Sequence, residues 1–70
     1  MKYTHTKASE VKAGDIVSMG NELQPMTWTA VANNKSNNRR LPVAITFTTE
    51  FGHEVTVKYG YTAKFWVKNQ

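Results

Sequence analysis

Leu41-Pro42-Val43-Ala44-Ile45-Thr46-Phe47-Thr48-Thr49, then Glu50-Phe51-Gly52-His53, then Glu54-Val55-Thr56-Val57-Lys58-Tyr59: this stretch decides the fold class. Val43, Ile45 and Phe47 alternate with Ala44, Thr46 and Thr48, and Val55, Val57 and Tyr59 alternate with Thr56 and Lys58. Period-two alternation on both sides of a short Gly-containing break predicts a β-hairpin with one buried and one solvated face. The chain is therefore expected to be a small all-β, mostly antiparallel domain.

Working outward, Lys12-Ala13-Gly14-Asp15 precedes Ile16-Val17-Ser18-Met19. Gly14 supplies freedom in φ and the Asp15 carboxylate accepts from nearby backbone N–H groups, so a turn feeding a first strand is expected. Gly20 to Pro25 reads as a loop under which Leu23 tucks, and Met26 to Ala32 as a second strand anchored by Trp28. Asn33 to Arg40 contains no apolar residue and reads as a solvated, mobile loop. Pro42 has no N–H for a ladder and belongs at a strand start or on an edge. Gly60 to Ala63 is a turn or a single 3₁₀ turn, and Lys64 to Lys68 a short last strand. The expected core is Ile16, Trp28, Val43, Ile45, Phe47, Val55, Val57, Phe65 and Tyr59.

Five short strands separated by a medium loop, a polar loop, a tight hairpin and a one-turn break resemble the SH3-like β-barrel. The landmarks are Val11 to Val17, the break at Phe51-Gly52-His53, and Gly60-Tyr61-Thr62-Ala63. The resemblance implies a five-stranded antiparallel SH3-like barrel over residues 1–70, with an OB-type barrel as the alternative. Signalling SH3 domains carry an aromatic start and an acidic first loop for proline-rich peptides. Gly20 to Pro25 holds only Glu22 and no aromatic, so such peptides are not implied. The length and the Lys/Asn/Thr-rich, cysteine-free composition also look like those of small bacteriophage-encoded proteins.

Seventy residues leave room for one core, and a chain of this size buries only roughly 60% of its unfolded surface. No cysteine is present to add disulfides or a thiolate metal site. No apolar run approaches a membrane span, and the start lacks a signal-peptide apolar region, so a cytoplasmic protein (host cytoplasm for a phage product) is expected. Nine Lys and Arg against five Asp and Glu favour an anionic partner.

Chemistry has few footholds. Asp15 belongs to its turn, Glu50 and Glu54 flank the hairpin tip, and His5 and His53 stand in no metal-ligand spacing. No phosphate-binding glycine loop or nucleophile elbow is present, so a non-catalytic binding module without cofactor or metal is expected. Two partner classes compete. In the first, a host protein is bound and modulated through an exposed aromatic, Trp66 or Phe51, or through a strand edge. In the second, Lys35, Arg39, Arg40, Lys58, Lys64 and Lys68 contact nucleic-acid phosphates while Tyr61 or Trp66 stacks on bases. The sequence order of preference is protein first, because the basic residues look scattered. With Phe65 and Val67 inward, Trp66 points outward between Lys64 and Lys68. Ile16 to Met19, without charge, is the expected unprotected edge and the candidate seam of a homodimer.

Overall fold

The computed structural model describes residues 3–20, 23 and 26–68. Among them run strands β1 (Tyr3–Lys7), β2 (Ile16–Ser18), β3 (Thr27–Lys35), β4 (Val43–Thr48), β5 (Glu54–Tyr59) and β6 (Lys64–Lys68), with one 3₁₀ turn at Ala8–Glu10. All pairings are antiparallel and the sheet order is β1-β6-β2-β3-β4-β5. The all-β antiparallel expectation holds. The five-stranded barrel does not: six strands form a sheet whose outer members, β1 and β5, share no ladder among the described residues. The sheet coils far enough for the rings of Tyr59 on β5 and Phe65 on β6 to meet edge to face at 4.7 Å.

The extra strand is Tyr3–Lys7, and it changes where the edges are. It pairs with β6 from Tyr3↔Lys68 to Lys7↔Lys64, so β6 is interior. β2 lies between β6 and β3. The Ile16 to Met19 segment is therefore no edge, and Val17 contributes to a doubly paired strand.

The expected β4–β5 hairpin forms, with its register running from Val43↔Tyr59 to Thr48↔Glu54. Thr49 N–H donates to the His53 carbonyl at 2.8 Å and Gly52 N–H to the Thr49 carbonyl at 3.0 Å. Gly52 sits at φ +82. This is a three-residue loop closed by a left-handed residue, a conformation that penalises a Cβ and suits glycine. The Gly14-Asp15 turn also forms: Gly14 has φ +96, and the Asp15 carboxylate accepts from Lys12 N–H at 2.8 Å. Gly60 to Ala63 is a simple turn closed by Ala63 N–H to the Gly60 carbonyl.

The core is Ala8, Val11, Val17, Ala30, Val43, Ile45, Phe47 and Val67, with Trp28, Val55, Tyr59 and Phe65 packed against it. Phe47 is its hub, with ring contacts to Trp28, Tyr59 and Phe65. Burial raises the Tyr59 hydroxyl's pKa above its ordinary value. Ile16, expected inside, is only half-buried, because Val17 pairs with Trp28 and takes the inward position. Leu23 is 93% exposed and does not tuck under its loop; the rest of that segment, Asn21, Glu22, Gln24 and Pro25, lies outside the described residues.

The second strand runs further than expected, through Asn33 and Asn34 to Lys35, with a register shift between Ala30 and Ala32 that leaves Val31 unpaired. Asn33 stays in the strand because it has tertiary work for its side chain. Its amide donates to the carbonyls of Ala8 at 3.0 Å and Val11 at 2.7 Å, tying the 3₁₀ turn beneath the sheet. The loop is thus shortened to residues 36–42 and braced by Asn38, whose side-chain oxygen accepts from Arg40 and Leu41 N–H.

Candidate functional site

Neighbouring residues opposite one another in a ladder share a face of the sheet. On the outer face of β1 and β6 this juxtaposes Tyr3 with Lys68, His5 with Trp66, and Lys7 with Lys64. The rings of His5 and Trp66 stack at 4.6 Å with 20° between their planes. Across the other flank of Trp66 lies Ser18 of β2, a small neighbour. Trp66 retains 47% of its surface exposed, outward as expected, while Val67 is buried.

The electrostatics of this platform are one-sided. Neither β1, β6 nor β2 contains a carboxylate. Lys7 and Lys64 face each other directly, an arrangement of like charges that disfavours the pair unless an anion lies between them. Lys7 and Lys64 thus flank the aromatic stack at one end of the ladder and Lys68 at the other. Such a surface offers planar stacking area and positive charge together.

The remaining expected site residues do not join it. Lys35 ends β3, and Arg39 and Arg40 occupy the 36–42 loop. The Arg40 carbonyl lies so near Gly60 that a Cβ there would be 3.3 Å from it, which sets this loop beside the turn bearing Tyr61. Lys35 and Tyr61 line one open cleft of about 660 Å³ with Lys12, Asn33 and Pro42, but Glu10 also lines it, so its charge is mixed. Lys58 is exposed on β5 opposite Ala44, at the far edge of the sheet. Phe51, 85% exposed, caps the β4–β5 hairpin. The nine residues therefore divide into a β6 set, a cleft set and two outlying positions.

Tyr3, His5 and Lys7 were missed by sequence reading. The signal was present as alternation, Tyr-x-His-x-Lys against Lys-x-Trp-x-Lys, but it carries no apolar face and so does not register as a strand. Lys12 was likewise not anticipated. Two acidic side chains are held by backbone N–H groups: Asp15 accepts within its turn, and the Glu50 carboxylate accepts from Thr27 N–H at 3.3 Å. Among the described residues no three His, Cys, Asp or Glu side chains gather in a way that would hold a metal ion, and no helix is long and apolar enough to cross a membrane. Comparison with protein-family models, curated proteins and solved structures finds nothing that matches this chain.

Proposed function

We propose that the chain is a non-catalytic binding module of SH3-like type whose β1–β6 outer face takes single-stranded nucleic acid. The observation that carries this reading is the stacked His5–Trp66 pair with Lys7, Lys64 and Lys68 on the same two strands, neither of which contains a carboxylate. A base stacks on the exposed part of Trp66, and the lysines contact flanking phosphates. Base–aromatic stacking contributes about 1–3 kcal/mol per base and tolerates any sequence. The gathering of Lys7, Lys64 and Lys68 reverses the preference drawn from the sequence, where the cations looked scattered.

Titration of a fluorescent oligothymidylate in low salt tests it. The logarithm of affinity is expected to fall with the logarithm of salt concentration with a slope of about −2, from three lysines on a single strand. Trp66→Ala should weaken binding about tenfold or more without changing that slope much. Lys64→Ala with Lys68→Ala should flatten it by roughly 1.4. An oligonucleotide that does not bind even at low salt removes the reading.

A second reading has its own support at the β4–β5 hairpin tip. Phe51, Met26 and Leu23 are all exposed, and the Glu50–Thr27 hydrogen bond draws the hairpin tip towards the Met26 segment. Exposed apolar side chains of this kind anchor protein partners, as a phage-type modulator of a host protein would require. Capture of a partner that survives high salt and is lost in Phe51→Ser would favour it.

A further inference from the structure

We infer that β5 is a self-complementary edge through which two copies of the chain pair as an antiparallel, two-fold symmetric dimer. The inference begins with the backbone. Thr49 and His53 close the hairpin by a main-chain hydrogen bond. Hydrogen-bonded and non-bonded pairs alternate along an antiparallel ladder. Thr48↔Glu54 is then a non-bonded pair, and Phe47↔Val55, Ile45↔Val57 and Val43↔Tyr59 are bonded ones. Consequently Val55, Val57 and Tyr59 spend their backbone groups on β4, whereas Glu54, Thr56 and Lys58 turn theirs to the open side.

Nothing among the described residues covers that side, since β5 ends the sheet and Glu54, Thr56 and Lys58 are exposed. Its six residues pair with β4 without a bulge and contain no proline, two devices that elsewhere discourage edge pairing. Lysine is a third such device, but here Lys58 is matched by Glu54, four residues away on the same face.

That spacing selects one register. A two-fold axis at Thr56 sets Thr56 against its own copy and Glu54 against Lys58 of the second copy, twice. Each of these pairs exchanges two main-chain hydrogen bonds, and Val55 meets Val57 of the second copy on the inner face. Sliding by two residues sacrifices the matched charges, and centring on Glu54 or Lys58 sets like charges together. A one-residue slip turns inner side chains outward. The other edge offers no equivalent: β1 carries His5 and Lys7 and no acid, so copies paired there bring no opposite charges together. The edge for association is β5, not the Ile16 to Met19 segment.

Charge exchange between exposed positions gives a test that leaves the core untouched. Sedimentation velocity of the wild-type chain over a wide concentration range should show monomer–dimer equilibrium. Glu54→Lys alone makes the edge wholly basic and Lys58→Glu alone makes it wholly acidic. Each should weaken self-association about tenfold or more, since two attractive cross-strand pairs become repulsive. An equimolar mixture of the two variants should associate again, and the double variant carrying both changes should dimerise as the wild type does. Circular dichroism checks that every variant is folded. A wild-type chain that stays monomeric at the highest concentration overturns the inference, and so does a single variant that dimerises as well as the wild type.

Discussion

Ile45→Asp is expected to leave the chain without a cooperative folded state. Ile45 is fully buried and lies in register with Val57 on one side and Asn33 on the other. Removing a buried isoleucine side chain costs about 2–5 kcal/mol through lost transfer energy and the remaining cavity. The carboxyl group then adds the cost of a buried polar group for which no donor waits, on the order of 1–3 kcal/mol even when protonated. At roughly 0.05–0.15 kcal/mol per residue, a small domain has little more than that to lose. Circular dichroism and amide chemical-shift dispersion should both report an unfolded chain, while Ile45→Val should remain folded and lose about 1 kcal/mol. A native-like spectrum for Ile45→Asp would contradict the inward assignment of the Val43-Ile45-Phe47 face.

The second large effect is expected at a polar residue. Asn33→Ala removes the donor that satisfies two carbonyls, Ala8 at 3.0 Å and Val11 at 2.7 Å. The Ala8 carbonyl keeps the Val11 N–H at 3.3 Å, whereas the part-buried Val11 carbonyl loses its side-chain donor. The loss should be about 1–3 kcal/mol, measurable as a lowered urea midpoint. Asn33→Asp separates donation from size. A carboxylate of nearly the same shape only accepts, and it would face two carbonyl oxygens, so it should be at least as damaging as alanine. If Asn33→Asp matched the wild type, the amide would not be what ties the 3₁₀ turn to the sheet. Hydrogen exchange at Val11, whose N–H donates to the Ala8 carbonyl at 3.3 Å, should accelerate in both variants ahead of global unfolding.

Asn33 also shows why the boundary of β3 was not legible. In a run of Asn, Lys and Ser the local preference is for a loop, since these side chains compete with the ladder for backbone groups. The competition is lost here because the Asn33 amide finds better acceptors in a segment twenty-two residues earlier. Ala30 and Val17 were similarly obscure as core positions: small or singly placed apolar residues become interior only when another strand lies against them. Val17 illustrates the choice, since Ile16 and Val17 are equally apolar and only the pairing with Trp28 and Val67 decides which points inward. In the candidate site, the outward position of Trp66 between two lysines was legible from alternation. Its stacking partner was not, because the alternation in Tyr3-Thr4-His5-Thr6-Lys7 has no apolar face to mark it as a strand.

By itself, then, the sequence determined the hairpin, the face that Val43, Ile45 and Phe47 bury, and the turns at Gly14 and Gly52. These depend on a two-residue period and on residue types suited to particular φ angles, both of which are local properties. Only the tertiary structure decided that Tyr3–Lys7 is the sixth strand, that β2 and β6 are interior, and that β5 is left open. A polar segment becomes a strand when a neighbour's edge offers it hydrogen bonds, and β6 makes that offer from sixty residues away along the chain in round terms. The same non-local pairing brought His5 onto Trp66 and Lys7 opposite Lys64, so the basic aromatic platform exists only once the two ends of the chain lie side by side.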